Sequence, residues 1–453
     1  MSLADARRVI SASAPRAPQA HLIGSAGGRH LFVSDGSRLF DAAPALFAAC
    51  DAAMARSDLG EIEDLLSRAG LDGPPLIDDA PLEPQPIRAL SLAIAQKCNL
   101  GCAYCYAEQG EFGAAPKSMS EADALRAVEL LVEGAEPGAK LNLAFLGGEP
   151  LVNRHALRKA ARRARDLAES RGATMSFSIT TNGTLLTEDD ARFFEDYGFA
   201  VTISLDGPRE LHDALRPFKG GRGSFDAIMR RVEPLLRLQR AMQVTARVTV
   251  TPANLSLRRT LDDFIAAGFH SVGFSPMLSA PTGKGEMQPD HLERMLGEMI
   301  DCGREYERRV HLGQRYPFAN MVNAMREIHR GTHRPYPCGA GAGYLGVSAD
   351  GELSACHRFV GNPEGAMGSL AGGIDRARQA QWLAERHVHR QEPCRSCWAR
   401  YLCGGGCHHE VIRRGRPACD YIRGWLHCCL EAYLRLSAEP AAIGLEPANA
   451  AHG

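Results

Sequence analysis

The sequence predicts an α/β protein: a partial (β/α)6 TIM-like barrel between a small N-terminal α+β module and a cysteine-rich C-terminal domain. Three observations carry this. Strand-like and helix-like stretches alternate six times between residues 88 and 330. Five prolines fall within residues 74–86. Ten of the fourteen cysteines lie in two arrays, one directly after the first strand of the alternation and one beyond residue 337.

Taken in order, residues 1–20 are rich in Ala, Arg, Ser and Pro and are expected to be mobile. Residues 30–41 read as strand, turn, strand, with Asp35-Gly36 as the hairpin signal. Helical patterns follow over 43–55 and 59–69, and the proline run then reads as a stiff, extended linker. The expected domains are thus a module at 1–75, a linker at 76–87, a barrel at 88–330 and a C-terminal domain at 331–453. Barrel strands are expected at 90–95, 141–146, 175–180, 200–205, 244–250 and 271–275. Helices are expected at 120–134, 155–171, 188–197, 224–240 and 255–267. Such βα units build a parallel sheet with helices outside it, and chemistry gathers at the C-terminal strand ends.

Composition narrows the function. Across 453 residues, 52 basic side chains meet 53 acidic ones, so no global field draws the chain to nucleic acid or an anionic membrane. No apolar run is long enough to span a bilayer, and the first residues lack the apolar core of a signal peptide. The expected location is the cytoplasm, where fourteen cysteines argue for metal ligation over disulfides.

The chemistry centres on Cys98, Cys102 and Cys105, spaced C-x3-C-x2-C after the first barrel strand. Three thiolates on one tight loop can each take one iron of a [4Fe–4S] cube and leave the fourth open, where a ferredoxin would supply a fourth cysteine. Half of a zinc site, or buried thiols with no ligand, are the alternatives. Tyr104 adds an aromatic edge to the loop. At the next strand ends stand Gly147-Gly148-Glu149-Pro150, Ser178 with Thr181-Asn182-Gly183, Ser204 with Asp206-Gly207-Pro208, and Arg247. Two glycines let backbone approach a ligand closely, and a carboxylate can accept from an ammonium.

This loop resembles the signature of the radical S-adenosylmethionine (SAM) enzymes, in which SAM chelates the open iron. The stretch 147–150 is similar to their GGEP motif, which holds the SAM amino group. The resemblance further implies that Tyr104, Ser178, Ser204, Asp206 and Arg247 lie against SAM, towards its ribose and carboxylate.

The second array reads Cys338, then Gly351 and Cys356, then Cys394, Cys397, Cys403 and Cys407 as C-x2-C-x5-C-x3-C, then Cys419. A pair of zinc ribbons is the competing reading. The array resembles the SPASM domain, which holds two auxiliary [4Fe–4S] clusters, making three clusters in all. By that resemblance Cys338, Cys356 and Cys407 hold the first auxiliary cluster, and Cys394, Cys397, Cys403 and Cys419 hold the second. Sulfatase-maturing relatives carry one more cysteine shortly after the first and an acidic base after the second. Here residues 339–346 contain no cysteine and the second position is His357. Cys428 or Cys429 remains open as a fourth ligand, while Cys50 and Cys302 fall in helical patterns as core residues.

Residues 98–109, 337–361 and 394–421 resemble most the family that matures quinohemoprotein amine dehydrogenase. That family joins Cys sulfur to a methylene carbon of Asp or Glu in the dehydrogenase small subunit. The resemblance implies an oxidoreductase-type peptide maturase fed by an external electron donor such as flavodoxin or ferredoxin. The SAM-bound cluster generates a 5′-deoxyadenosyl radical, and an auxiliary cluster receives the substrate thiolate. The N-terminal module is similar to domains that take up a leader peptide as an extra strand, or else only caps the barrel. Two other functions stay open: another peptide maturase forming a different thioether or a carbon–carbon crosslink, and an electron-transfer iron–sulfur protein without catalysis.

Overall fold

Alternation along the central strands decides how the barrel unit is built. In β7 (Thr174–Thr181) Phe177, Ile179 and Thr181 are buried while Ser176 and Thr180 are exposed. In β9 (Gln243–Val250) Val244, Ala246, Val248 and Val250 are buried and Arg247 is exposed. Successive side chains of a strand point to opposite faces, so one face of the sheet is apolar and covered and the other is polar and open. On the covered face Phe177 stacks on Phe199 at 5.2 Å, and Phe193 of a flanking helix packs on Phe199 at 5.9 Å.

The computed structural model describes residues 20–25, 28–73 and 75–437. Residues 1–19, expected to be mobile, and Pro74 of the expected linker lie outside the described residues. Two compact units divide the chain: one takes 82–287 with 339–383, the other takes residues up to 81 with 288–338 and 384 onward.

The first unit holds an eleven-stranded sheet. Strands β4 (Ala89–Gln96), β6 (Lys140–Gly147), β7, β8 (Ala200–Ser204), β9 and β10 (Ser271–Pro276) run parallel, each beside its sequence neighbour. The short β5 (Lys117–Ser118) pairs antiparallel with β4. The crossovers contain the helices Glu121–Glu133, Arg154–Ser170, Glu188–Asp196, Phe225–Leu238 and Leu257–Ala266. This is the parallel-strand α/β partial barrel the sequence predicts, with each boundary moved by two residues or fewer. Helix starts follow their caps: Ser120 accepts from Asp123 N–H at 3.0 Å, and Thr187 forms a capping box with Asp190. Beyond the expectation, β4 also pairs in parallel with β11 (Tyr344–Val347), and an antiparallel ladder continues through β12 (Glu352–Ser354), β13 (Ala366–Ser369) and β14 (Gly373–Ile374). A short helix, Arg209–Leu215, was also not expected.

The second unit begins with an antiparallel sheet of three strands, β1 (Ala20–Ser25), β2 (Gly28–Val33) and β3 (Arg38–Asp41). The Asp35-Gly36 turn is a 3-10 turn with Gly36 at φ 75°, a conformation that favours glycine. Leu31, Val33, Cys50, Ala53, Ile62 and Leu66 form its core, so Cys50 is a core residue as expected. Strand β1 is tied down by His21, which stacks on Trp398 at 3.8 Å and hydrogen-bonds His427 at 2.8 Å. Its partner helix Cys419–Leu436 also packs against the helices Pro289–His311 and Ala319–His329. Among the described residues no helix is long and apolar enough to cross a membrane.

Candidate active site

Backbone contacts shape the cysteine loop after β4. Gly148 N–H donates to Ala95 O at 2.8 Å and Glu149 N–H to Lys97 O at 3.0 Å. A Cβ on Gly148 would lie 2.4 Å from Lys97 O, and one on Gly110, at φ +93°, would lie 2.4 Å from Gly148 Cα. A Cβ on Gly147 would lie 2.4 Å from Ala95 O. The glycines expected to admit a ligand are therefore required by the chain itself, which presses the loop against the end of β6. The three thiols stand close enough to act on one another electrostatically. Burial pushes Cys102 up to about 11, opposed first by the nearby Arg216 guanidinium. Burial likewise raises Cys98, opposed by the Leu100 N–H that reaches its sulfur at 3.4 Å.

A hydrogen-bonded shell surrounds this loop. Asn182 Nδ2 donates to Cys98 Sγ at 3.6 Å and to Asn99 Oδ1 at 3.0 Å. Glu149 is fully buried, and its carboxylate accepts from Thr181 Oγ1 at 2.7 Å, Asn182 N–H at 2.8 Å and Leu151 N–H at 3.0 Å. Burial raises its pKa and these bonds pull it back. A carboxylate offers about four lone-pair sites, so one stays available for a cationic ligand.

Tyr104 points its hydroxyl inward and donates to Asp206, while Arg216 donates to the same hydroxyl at 2.7 Å and stands 3.7 Å from Asp206. Asp206 also accepts from Thr249 N–H at 3.0 Å. His212 accepts the Asp206 N–H on Nδ1 at 3.2 Å, leaving Nε2–H to donate to Ser224 Oγ at 3.0 Å. Burial lowers its pKa to about 3, so it is neutral. Ser178 and Ser204 lie half-buried, and Arg247 lies exposed, on the open face of the sheet. Arg247 donates to Ser275 Oγ.

Sequence reasoning missed Arg216 and His212 and left the Asn182 side chain without a role. Their only signal is their position, since Asn182 follows β7 directly and the other two follow Asp206-Gly207-Pro208 by a few residues.

The four-cysteine group is also assembled. Cys394, Cys397, Cys403 and Cys419 all act on one another electrostatically. Burial raises Cys394 to about 12, opposed by Arg416, and Cys403 to about 11, opposed by the N–H groups of Gly405 and Gly406. Gly404, Gly405 and Gly406 all have positive φ, a run that lets consecutive N–H groups turn towards one sulfur. Cys338 and Cys407 are exposed in the same unit, whereas Cys356 is buried in the barrel unit. Cys428 and Cys429 are buried on the helix Cys419–Leu436, where the charges acting on them include Glu307 but no cysteine of either array. Cys302 is buried, as expected of a core residue. Among the described residues no three His, Cys, Asp or Glu side chains converge as on a single metal ion. The ligands of an iron–sulfur cube bind separate irons and stand farther apart, so both cysteine groups suit a cluster, with glycine cradles and N–H donors already turned to sulfur.

Comparison with known proteins gives the context. Residues 92–265 match the radical SAM superfamily model. The serine-type anaerobic sulfatase-maturating enzyme of Klebsiella aerogenes is 28% identical over 365 residues, covering 76% of this chain and 85% of that protein. The cysteine-type enzyme of Clostridium novyi is 31% identical over 230 residues, covering 48% of this chain and 60% of that protein. Among solved structures, anSMEcpe with bound AdoMet superposes with a TM-score of 0.65 at 18% identity, covering 80% of this chain and 96% of that one. At that identity the likeness concerns the fold alone.

Proposed function

We propose that this chain, a radical SAM enzyme, modifies a peptide, and that its reaction joins a Cys sulfur to a methylene carbon of Asp or Glu in the small subunit of a quinohemoprotein amine dehydrogenase. The observation that carries the radical SAM reading is the three-thiol loop pressed by glycines against Glu149, whose carboxylate keeps one lone pair free. Relatives with a peptide or protein substrate in their names support the substrate class. Cysteine-free residues 339–346 and His357 in place of an acid support thioether formation over sulfatase maturation.

Cys98, Cys102 and Cys105 would hold one [4Fe–4S] cluster, and Glu149 would accept from the SAM ammonium. Gly147 and Gly148 keep that carboxylate against the loop. Tyr104 and Asp206, engaged with each other, act as positioning residues that fix the loop between Cys102 and Cys105. Ser178 and Ser204 offer hydroxyls on the open face of the sheet for the rest of SAM. Bound there, cluster and SAM would supply the one-electron chemistry that removes hydrogen from an unactivated carbon, which no side chain can begin alone. Cys338, Cys356 and Cys407 would hold a first auxiliary cluster, and Cys394, Cys397, Cys403 and Cys419 would hold a second. A small protein such as flavodoxin or ferredoxin supplies electrons, and the three-stranded module takes up the peptide leader.

His357 does not replace the acidic base of sulfatase-maturing relatives with another anion. Its Nδ1 meets the Tyr344 hydroxyl at 2.9 Å, and burial, helped by Arg358 and Arg247, lowers its pKa to about 4. The test is mass spectrometry of a small-subunit peptide coexpressed with this protein. Each thioether breaks one S–H and one C–H bond, so the expected product lacks two hydrogens per crosslink and resists thiol alkylation. An unaltered small-subunit peptide beside a modified sulfatase peptide would reverse the assignment.

A further inference from the structure

Two exposed turns of the barrel unit flank the cysteine loop, and both are basic. The first is Phe218-Lys219-Gly220-Gly221-Arg222, closed by Phe218 N–H on Arg222 O at 2.9 Å and Gly221 N–H on Phe218 O at 2.8 Å. It is tied to the start of the loop, where Gly101 N–H donates to Pro217 O at 2.8 Å and Lys219 N–H to Asn99 O at 3.1 Å. The second turn is Ala280-Pro281-Thr282-Gly283, closed by Gly283 N–H on Ala280 O at 3.0 Å, and Lys284 follows it. Thr282 Oγ1 reaches Ala103 O at 3.5 Å, and Ala280 packs with Met277 on Tyr104. The anchor points Asn99 and Ala103 are four residues apart in the chain, so about 14 Å separates them at most. Between them Ala103 is exposed, as are Lys219, Arg222 and Lys284 around it. Neither stretch, 217–222 or 279–285, contains an acid. The acids beside them are engaged: Glu111 with Lys219 Nζ at 3.3 Å, Asp213 with the N–H groups of Ser224 and Phe225, and Glu286 with Ala280 N–H at 2.9 Å. The Lys219–Glu111 pair is itself exposed and so is worth little in water. A Cβ on Gly220, Gly221 or Gly283 would meet nothing within 4 Å, so each turn offers bare backbone to solvent.

Electron tunnelling weakens steeply with distance, so a reductant must come close to the cluster that Cys98, Cys102 and Cys105 would hold. Ala103, between two of those cysteines, is a thin cover. Basic groups around such a spot attract and orient a partner with an acidic rim, which speeds encounter without a large interface. We infer that the two turns form the docking surface for a small acidic electron-carrier protein, seated on Lys219, Arg222 and Lys284 over Ala103. The inference rests on the radical SAM reading and gives its electron donor a place on the chain. In the step, one electron leaves the carrier, which is oxidised, and the cluster is reduced by that electron; no bond forms and no proton moves. The exposed residues of both turns are Lys, Arg, Gly, Pro and Thr. They lack the large apolar anchors of a lasting interface, which suits a brief encounter better than capture of a peptide.

The test mixes the full-length, anaerobically reconstituted enzyme with a reduced acidic flavodoxin or, separately, with reduced methyl viologen, a small cation that needs no docking. Stopped-flow absorbance follows reduction of the cluster, and calorimetry with oxidised flavodoxin reads binding. Arg222→Glu and Lys284→Glu should each slow reduction by flavodoxin about tenfold at low salt and weaken its binding. Methyl viologen should reduce both variants at least as fast as the wild type. The wild-type rate with flavodoxin should fall steeply as salt rises, and less steeply in the variants. Arg163→Glu, the same charge change at an exposed position of the helix Arg154–Ser170, should leave both rates unaltered. Equal flavodoxin rates in the wild type and both reversals overturn the inference, as does a loss matched by Arg163→Glu, which is an effect of net charge. Slower reduction by both reductants with iron content intact also overturns it, because the turns then only shape the loop. So does a wild type that neither flavodoxin nor an acidic ferredoxin reduces. If the reversals weaken binding of a small-subunit peptide and spare reduction by flavodoxin, the surface belongs to the substrate and the inference fails. A crosslinked peptide formed with flavodoxin at equal rates in wild type and reversals defeats this inference alone. The expected pattern of reduction without any crosslinked peptide defeats the thioether reading alone.

Discussion

The two assembled cysteine groups sit in different electrostatic settings. Around Cys98, Cys102 and Cys105 both signs of charge occur, the buried carboxylates of Glu149 and Asp206 together with the guanidinium of Arg216. Around Cys394, Cys397, Cys403 and Cys419 the leading charges are Arg416 and Arg423, with one acid, Asp420, paired to Arg423, joined by backbone N–H groups of Gly405 and Gly406. Four thiolates closing a cube carry excess negative charge, and cations with N–H donors compensate it. Three thiolates leave an iron open for a ligand with an ammonium and a carboxylate, and a shell of mixed sign suits that ligand. Under the proposed function, the difference would separate a site that exchanges its ligand from one that keeps its cluster.

Removing the thiols tests that division most severely. Changing Cys98, Cys102 and Cys105 together to Ala should abolish SAM cleavage and remove one cluster's iron. Changing Cys394 and Cys397 to Ala should remove another cluster's iron, leave SAM cleavage and eliminate the crosslinked product. Iron assay and chromatography of 5′-deoxyadenosine read both. Equal loss of cleavage in the two variants would erase the distinction.

Glycine substitutions probe the same contrast through the backbone. In Gly148→Ala the new Cβ meets Lys97 O at 2.4 Å and Gly110 Cα at 2.9 Å, all backbone atoms unable to move aside cheaply. Overpacking of this kind costs about 1–3 kcal/mol, and SAM cleavage should fall by about a hundredfold if the loop shifts by an ångström. In Gly406→Ala the nearest atom is Val411 Cγ2 at 3.6 Å, so only the backbone strain at φ +78° remains, about 1–2 kcal/mol. Thermal melts of the metal-free proteins should rank Gly148→Ala below Gly406→Ala.

Electrostatic substitutions should have smaller effects. A positive charge stabilises the reduced, more negative cluster, so Arg216→Met should lower the midpoint potential of the SAM-binding cluster, on the order of 60 mV for a tenfold change in a one-electron equilibrium. Arg416→Met should shift only the four-cysteine cluster. Electron paramagnetic resonance during a redox titration separates the two, and a shift of both by either substitution would contradict separate shells.

The smallest expected effect is on pH. Burial raises Cys102 to about 11 and Cys394 to about 12, above the ordinary value of 9.0. In the metal-free protein the stability these neutral thiols contribute is complete below pH 9 and is lost as pH rises through about 11. Melting temperature should fall across that window for the metal-free protein. The iron-loaded protein, whose thiols are already deprotonated, should be flatter. Matching profiles would show that the thiols do not carry the linkage.

Local pattern made much of this legible. Four of the six parallel strands, β6 to β9, alternate strictly or nearly so, β4 and β10 carry continuous buried runs, and two of the helices begin at Ser120 and Thr187 caps that any reading of the sequence can find. Strand β1 and the ladder β11–β14 escaped because they are short and, except for β12, contain glycine, leaving little periodicity to count. The shell around the loop was illegible for another reason. Asn182 reaches Cys98 across 84 positions and Arg216 reaches Tyr104 across 112, and no spacing rule links residues so far apart. Gly147 and Gly148 were visible as glycines, but that they serve a backbone contact with Ala95 and Lys97 emerges only once the strands lie side by side.

The contact of Gly110 on Gly148 also bears on the order of events when the enzyme is made. Main-chain contacts at Gly110 and Gly148 and side-chain bonds from Asn182 and Tyr104 hold the loop through groups that need no metal, so the thiols should be arrayed by the chain itself. Loading such an array requires no refolding of the chain. Cluster insertion into the purified apoprotein should then proceed at a rate set by the iron and sulfide offered, with the far-ultraviolet circular dichroism unchanged from start to finish.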